Sequence, residues 1–313
     1  MKILFTGASS FSGFWFVKEL AQSGHSVSAI FQGSLENYQG LRKERMDQLL
    51  KICRPVFSCS FGSEAFLKVL GESKWDLLCH HAADVSDYKS PDFNFAAALT
   101  NNTNNLKSAL NLLVKQGCNR ILLTGSVFEQ NEGAGSDNLR AVSPYGLSKG
   151  LTSDVFKFYT SVMEMKLGKF VIPNPFGPYE EARFTTFLIQ TWYKGQTAPV
   201  AFPAYVRDNI PVSLLAKAYA DFASRLSPNP GLEQINPSGY PESQGAFTRR
   251  FAEEMSPRLS VPCNFELYKQ EDFSEPKVRI NTDILDSSKL GWDEVKAWDD
   301  LAYFYETHYK QNI

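Results

Sequence analysis

Short apolar runs alternate with longer amphipathic stretches through the first half of the chain, and this alternation limits the fold more than any single residue does. The runs are Lys2 to Phe5, Ser26 to Phe31, Pro55 to Ser58, Leu77 to His80, Arg120 to Thr124 and Phe170 to Ile172. Strands covered by helices on both faces are continuous in Ile, Leu, Val and Phe, which is what ILF, LLC, ILL and FVI offer. Repeated βαβ units predict an α/β fold, a Rossmann-type doubly wound parallel sheet. Beyond Pro173 prolines and aromatics cluster and the regular alternation stops, which predicts a smaller, mixed C-terminal lobe. The expected division gives residues 1–173 plus about 207–238 to the doubly wound domain, and about 174–206 plus 239–313 to the lobe.

With 313 residues, 43% of them apolar, the chain is long enough for one elaborate domain or two lobes. Thirty-two Lys and Arg nearly balance 34 Asp and Glu, and the formal charge is -2. No long single-sign run marks a nucleic-acid or membrane surface, so a small-molecule partner is expected. Cys53, Cys59, Cys79, Cys118 and Cys263 have no CxxC spacing, which speaks against structural zinc or a disulfide framework. The start MKILFTG enters a strand at once, and no apolar run approaches the ~20 residues of a membrane span; a soluble, cytoplasmic protein is expected.

After the first run, Gly7-x-x-Ser10-x-x-Gly13 opens a helix expected over Phe14 to Ser23. Backbone N–H groups and the helix dipole there suit a pyrophosphate, so Gly7, Ser9, Ser10, Phe11 and Gly13 are candidate cofactor contacts. Ser10 stands where glycine is usual, either to donate its hydroxyl to phosphate or to crowd the loop. An acid at the end of strand two would hold the adenine ribose of NAD, but the residues are Phe31-Gln32-Gly33-Ser34. Gln32 and Ser34 are therefore candidate cofactor contacts, with space for a 2′-phosphate on Ser34, Arg42 or Lys43. The reading is NAD(P), with NADP favoured over NAD.

Tyr145 and Lys149 stand four apart in Ser143-Pro144-Tyr145-Gly146-Leu147-Ser148-Lys149, on one helix face. The Lys149 ammonium is expected near the Tyr145 phenol, lowering its pKa towards working pH, so that the phenol can exchange a proton with an alcohol or carbonyl. These segments, with His80-His81-Ala82-Ala83, the helix around Asn102, Asn174-Pro175-Phe176-Gly177-Pro178 and Arg207-Asp208-Asn209-Ile210-Pro211-Val212, occur in a fixed order. In that order the chain resembles the extended short-chain dehydrogenase/reductase family of nucleotide-sugar epimerases, dehydratases and 4-ketoreductases, from Met1 to about Tyr219.

The resemblance implies that Tyr145 is the acid/base, that Lys149 also binds the nicotinamide ribose, and that His81, Ala82 and Ala83 line the nicotinamide side of the cleft. Asn102 would anchor backbone near the site. Asn174 would reach the substrate and Arg207 would pair with its diphosphate, while Phe176, Tyr179, Phe202 and Tyr205 pack either substrate or core. The family's third catalytic residue is a Ser or Thr after strand five, where Thr124-Gly125-Ser126-Val127-Phe128 admits two registers. Counting from the strand start selects Ser126 and counting back from Val127-Phe128 selects Thr124; Ser126 is preferred because loops absorb deletions. The resemblance thus implies a nucleotide-linked sugar as substrate, turned over by an epimerase or a 4-ketoreductase, with a homodimer formed through the Tyr145 helix and its neighbour.

Three departures mark the adenosine end: Ser10 in the loop, no acid after strand two, and no Asp in Phe57-Ser58-Cys59-Ser60-Phe61. Thr124 is followed by Gly125-Ser126 rather than an Asp-Glu pair, which makes dehydration the least favoured branch. Alternatives are a reductase of another small carbonyl and a non-catalytic NADP-binding redox sensor. His80 and His81 read as packing and cleft residues, since no metal ligand set accompanies them. Ala96 to Asn111 reads as a helix, and Glu129, Glu132 and Asp137 as solvated loop acids. Phe247 to Met255 and Trp298 to Tyr309 read as amphipathic helices packed on the fold.

Overall fold

The computed structural model describes residues 1–310. Seven strands form one parallel sheet: β1 (Lys2–Thr6), β2 (Ser26–Ile30), β3 (Arg54–Val56), β4 (Leu77–His80), β5 (Arg120–Ser126), β7 (Lys166–Ile172) and β11 (Gly231–Ile235). Their order is β11-β7-β5-β4-β1-β2-β3, so the chain reverses its winding beside β1. In open α/β sheets this switch point, at the carboxyl ends of the strands, is where ligands bind.

The sheet is covered on both faces. Ile3 and Phe5 of β1 join one core with Phe14 and Phe16 of α1 (Phe11–Gln22) and Leu215 and Tyr219 of α8 (Val212–Arg225). Leu4, between them, points the other way, into a second core with Leu110 of α5 (Leu106–Lys115) and Phe156 of α6 (Pro144–Val162). α2 (Gly40–Leu49) and α3 (Glu64–Glu72) complete the layers. The doubly wound Rossmann-type expectation is therefore met.

Boundaries differ where local chemistry overrides the apolar pattern. β7 starts at Lys166 rather than Phe170, because Lys166 and Lys169 interrupt the apolar run and yet pair within the fold, Lys166 with Glu233 at 3.4 Å. Helix α1 starts at Phe11 because Ser10 caps it, its side chain accepting from the Gly13 N–H. The single helix expected over Ala96 to Asn111 is two, α4 (Phe95–Asn102) and α5. Asn105 breaks it in a left-handed conformation, φ 49°, with its amide donating to the Gly62 carbonyl at 2.8 Å.

A second, mixed sheet holds β6 (Ala134–Gly135), β8 (Asn174–Phe176), β10 (Val206–Pro211), β13 (Tyr240–Ser243) and β15 (Val278–Ile280). Strand β10, which carries Arg207, lies beside β8, with Asn209 opposite Asn174. Two-stranded pairs join β12 (Pro237–Ser238) to β16 (Asp283–Ile284) and β9 (Ala198–Val200) to β14 (Phe265–Leu267). A third core packs Phe176 against Trp192 of α7 (Phe184–Tyr193), Phe247 and Phe251 of α9 (Gln244–Leu259), and Trp298, Leu301 and Tyr305 of α10 (Glu294–Tyr309). The end of the expected lobe, residues 311–313, lies outside the described residues. Among the described residues no helix is long and apolar enough to cross a membrane.

Phe16 holds α1 on the sheet: its ring stacks on Tyr219 at 4.0 Å between centroids and meets His81 and Phe170 edge-on. Phe16→Ala is expected to cost about 3–5 kcal/mol, read as a lower urea midpoint at unchanged slope. A cost under about 1 kcal/mol would mean the ring is not a core anchor.

Candidate active site

The loop between β1 and α1 is drawn tight by its own atoms. Gly7 has φ +81° and passes so near β4's extension that a Cβ would lie 2.7 Å from the Ala82 nitrogen. At Gly13 a Cβ would lie 2.2 Å from the Gly7 carbonyl oxygen. The Ser10 hydroxyl donates to the Gly7 carbonyl at 2.9 Å and accepts from the Gly13 N–H at 3.2 Å, so it serves the loop and does not crowd it. Phe11 and Ser12 lie in the first helical turn, whose N–H groups have no intrahelical acceptor.

Two arginines of α2 reach this loop. Arg42 donates to the Ser9 hydroxyl from Nε at 3.2 Å and from Nη2 at 2.9 Å, and stacks over Tyr38. Arg45 is fully buried; it donates to the Ser9 carbonyl at 3.1 Å and the Tyr179 carbonyl at 2.7 Å, and pairs with Glu181. Arg45 carried no sequence signal beyond a helical periodicity. Lys43 points to Asp47 on its own helix. Gln32 is exposed, and Ser34 donates to the Asn37 side chain at 3.1 Å.

His81 connects the loop to β5. Its Nε2 lies 3.1 Å from the hydroxyls of Ser10 and Ser12, and its Nδ1 lies 3.0 Å from the Thr124 hydroxyl. Burial, with the Lys149 charge second, pushes the imidazole down to about 3, so it is neutral at pH 7. Ala82 donates its N–H to the Thr6 hydroxyl at 3.2 Å, and Ala83 follows, half-buried. Asn102 accepts from the Asp84 N–H at 2.8 Å and donates to the Thr152 hydroxyl at 3.3 Å. It thereby ties the segment after β4 to α6.

Helix α6 begins on Ser143, whose hydroxyl accepts from the Gly146 N–H at 3.2 Å, with Pro144 in the first turn. This presents Tyr145 and Lys149 to the end of β5. Lys149 is buried and donates to the Thr124 carbonyl at 2.6 Å. Burial pushes the ammonium down to about 8, against the raising influence of Glu129. Tyr145 packs edge-on against Tyr88 at 5.5 Å and Phe93 at 6.0 Å. Its phenol is pushed up, not down: burial comes first, then the negative charge of Glu129. The expected lowering by Lys149 is corrected, because that ammonium is spent on the Thr124 carbonyl and the phenol sits in an apolar, acid-flanked wall.

Ser126 ends β5, its N–H donating to Glu129 Oε1 at 2.7 Å and its hydroxyl accepting from the Phe128 N–H at 3.2 Å. The Thr124 hydroxyl faces His81 instead. The expectation that Glu129 and Glu132 are solvated is wrong: both are buried, and both accept from Lys169 at 2.6 Å. The cause is the strand-interior lysine, whose charge draws the loop acids inwards; a lysine inside an apolar run was the one legible signal. Asp137 is partly exposed and pairs with Arg279 at 3.4 Å.

Arg207 is nearly buried, with its guanidinium engaged inside the chain. It donates to the carbonyls of Val206 at 2.9 Å and Pro276 at 3.0 Å, pairs with Glu275 at 2.8 Å, and covers the Tyr205 ring. Asn174 is half-buried at the start of β8. Phe176 is in the third core and Tyr179 packs on Phe304, whereas Phe202 is exposed near Tyr205.

Residues 3–217 match the family model described as the NAD dependent epimerase/dehydratase family. The chain belongs to that family. Among curated protein sequences, none matches. Similar solved structures include the UDP-glucuronic acid 4-epimerase of Bacillus cereus in complex with UDP-glucuronic acid and NAD, at 16% identity and a TM-score of 0.74, covering 99% of this chain and 100% of that one. The UDP-glucose 4-epimerase of Bifidobacterium longum, in complex with NAD+ and UDP, is 18% identical with a TM-score of 0.72 over 98% of each chain. DesIV, a dTDP-glucose 4,6-dehydratase of Streptomyces venezuelae with NAD bound, is 16% identical with a TM-score of 0.69 over 98% of each chain. At these identities the likeness establishes the fold.

Lys149 carries a pH signature. Its folded pKa, about 8, lies below the ordinary 10.5, so the unfolded chain binds more protons between those values and stability rises with pH across that window. Lys149→Met removes the buried charge and is expected to be more stable than the parent below pH 8. The gain is about 2 kcal/mol, from roughly 3 kcal/mol of desolvation less about 1 kcal/mol for the lost hydrogen bond. Thermal midpoints measured against pH should converge towards pH 10; a gap independent of pH would contradict the desolvated ammonium.

Proposed function

We propose that the chain is an NAD(P)-dependent oxidoreductase of nucleotide-linked sugars, either an epimerase or a 4-ketoreductase. The observation that carries this reading is the tie of Lys149 to the Thr124 carbonyl at the carboxyl end of β5, with Tyr145 one turn before it on α6 and Ser126 two residues beyond Thr124, one buried imidazole away from a glycine loop that opens a helix. The first-turn N–H groups of Phe11 and Ser12 suit the pyrophosphate of a dinucleotide, with Ser10 turned into its own helix and Gly7 packed against the Ala82 backbone. Gly7, Ser9, Ser10, Phe11 and Gly13 would hold the phosphates, Gln32 and Ser34 the adenine ribose, and His81, Ala82, Ala83, Asn102 and Lys149 the nicotinamide side. When bound, the nicotinamide supplies the hydride exchange.

The protein's own part is the proton. A phenol pushed up by burial keeps its proton at neutral pH, so Tyr145 is poised as the acid that protonates a carbonyl oxygen as the carbon gains hydride. In the reverse direction the phenolate takes the hydroxyl proton back. Ser126 polarises the same oxygen, Thr124 holds Lys149 through its carbonyl, and Asn174 meets the substrate. Two opposite transfers within one visit give epimerisation, and one transfer with cofactor exchange gives net reduction. The chain's own family is that of NAD dependent epimerases and dehydratases, and the similar solved structures are 4-epimerases with UDP-glucuronic acid or UDP bound and a dTDP-glucose 4,6-dehydratase, which supports the nucleotide sugar.

A second reading is reduction of a smaller carbonyl compound without a diphosphate, with Arg207 as the observation that favours it. Its fork is already paired with Glu275, so a diphosphate must displace that carboxylate. We further propose the doubly wound sheet as the cofactor domain and the C-terminal elements as the substrate lobe, in a cytoplasmic homodimer. NADP is favoured because Arg42 stands at Ser9 with no carboxylate at the end of β2 to repel a 2′-phosphate.

Tyr145→Phe is expected to bind cofactor as the parent does while turnover of nucleotide sugars falls about a hundred- to ten-thousand-fold. Unchanged turnover would remove Tyr145 from the chemistry. In fluorescence titrations NADPH is expected to bind more tightly than NADH. Arg42→Ala should weaken NADPH by about 10- to 100-fold, a lost charge-assisted hydrogen bond, and leave NADH nearly unchanged. A parent that prefers NADH would contradict the 2′-phosphate reading.

A further inference from the structure

We propose that the buried cluster of Lys169, Glu129 and Glu132 is a positioning device for the reacting pair, in which Glu129 clamps the turn bearing Ser126 and supplies the negative charge that Tyr145 and Lys149 experience. This rests on the catalytic reading of those three residues. One carboxylate does both jobs. Glu129 Oε1 accepts from the Ser126 N–H at 2.7 Å, while Oε2 accepts from Lys169 at 2.6 Å. Lys169 also donates to Glu132 at 2.6 Å, and Glu132 accepts in turn from Gln234 at 2.8 Å and Asn236 at 2.9 Å. Every charged member is almost fully buried.

The cluster is built into the strand that carries the site. A Cβ on Gly125 would lie 2.7 Å from Lys169 Cε and 3.1 Å from Glu129 Oε1, so the glycine between Thr124 and Ser126 is the space the ions occupy. Arg279 of β15 closes the turn from outside, donating to the carbonyls of Val127 at 3.3 Å, Glu129 at 3.2 Å and Glu132 at 3.3 Å. Within the cluster, two carboxylates against one ammonium leave one negative charge in excess, and the Arg279 guanidinium meets the turn through its backbone carbonyls.

The groups facing Glu129 are Lys169 on β7, Glu132 on its own loop, Tyr145 and Lys149 on α6, and Arg279 on β15; Tyr88 and Arg183 face Tyr145 in addition. Glu129 opposes the desolvation of Lys149 and adds to the raising of Tyr145. It thus favours a protonated lysine and a protonated phenol together, the resting state that the acid role of Tyr145 needs. A cluster serving only to fill the interior would stabilise the fold without setting the titration of a lysine on another helix.

The test follows Lys149 in the full chain, labelled with ¹³C at the lysine ε-carbons and titrated by NMR, with the signal assigned by its loss in Lys149→Met. The parent is expected to titrate at about 8. Glu129→Gln, which keeps the shape, should lower this by roughly one unit. Glu132→Gln, removing a charge one step further off, should lower it by less. If Glu129→Gln does not fold, Glu132→Gln alone decides by the same sign. A Lys149 titration at the parent's pH in the folded variants would overturn the proposal. This readout needs no turnover, so a Tyr145→Phe protein that stayed active would refute the catalytic reading and leave the titration result standing.

Discussion

His81 is buried where polar side chains from two separate segments converge, and its neutrality lets them do so. An uncharged imidazole offers one donor and one acceptor nitrogen, and hydroxyls can answer either. Ser10 and Ser12 from the glycine loop meet one nitrogen and Thr124 from β5 meets the other. A protonated ring here would have two donors and a desolvated charge beside Lys149, and burial holds its pKa at about 3, far from that state. The glycine loop and the end of β5 are therefore parts of one hydrogen-bonded unit, spaced by β4 lying between β1 and β5.

Around that joint, the protein handles charge by burial rather than by solvent. Lys149 is lowered and Tyr145 raised chiefly by desolvation, and each is then adjusted by Glu129 from the same side. The buried acids could not remain there without Lys169, since an unpaired carboxylate in a dry interior is strongly unfavourable. Beside the glycine loop, Arg45 is spent on backbone carbonyls and Glu181, linking the loop to the segment after β8. Arg42, by contrast, is exposed and holds only a hydroxyl, a contact that an arriving anion can outcompete.

The parallel sheet was legible because a strand buried on both faces has to be a continuous apolar run, and six such runs are present. β7 was only half visible: Lys166 and Lys169 look like breaks until their partners Glu233 and Glu129 are known, and those partners are distant in sequence. Likewise Glu129 and Glu132 carry the composition of a solvated loop, and only the fold brings a lysine beneath them. The order of Tyr145 and Lys149 on α6 was readable from spacing, but the direction of the phenol's shift was not. It depends on burial against Tyr88 and Phe93, on the Glu129 charge, and on the Thr124 carbonyl, which claims the ammonium. The break at Asn105 was hidden because asparagine is equally at home at a helix cap and on a helix surface.

We propose that a dinucleotide bridges the glycine loop and Tyr145 across His81. A crystal structure of the protein grown with NADPH tests it most directly. The pyrophosphate is predicted at the N-terminus of α1, against Phe11 and Ser12, with the nicotinamide ring beside the Tyr145 hydroxyl and the 2′-phosphate against Arg42. A cofactor bound elsewhere, or a ring held away from Tyr145 with the phenol still enclosed by Tyr88 and Phe93, would contradict it.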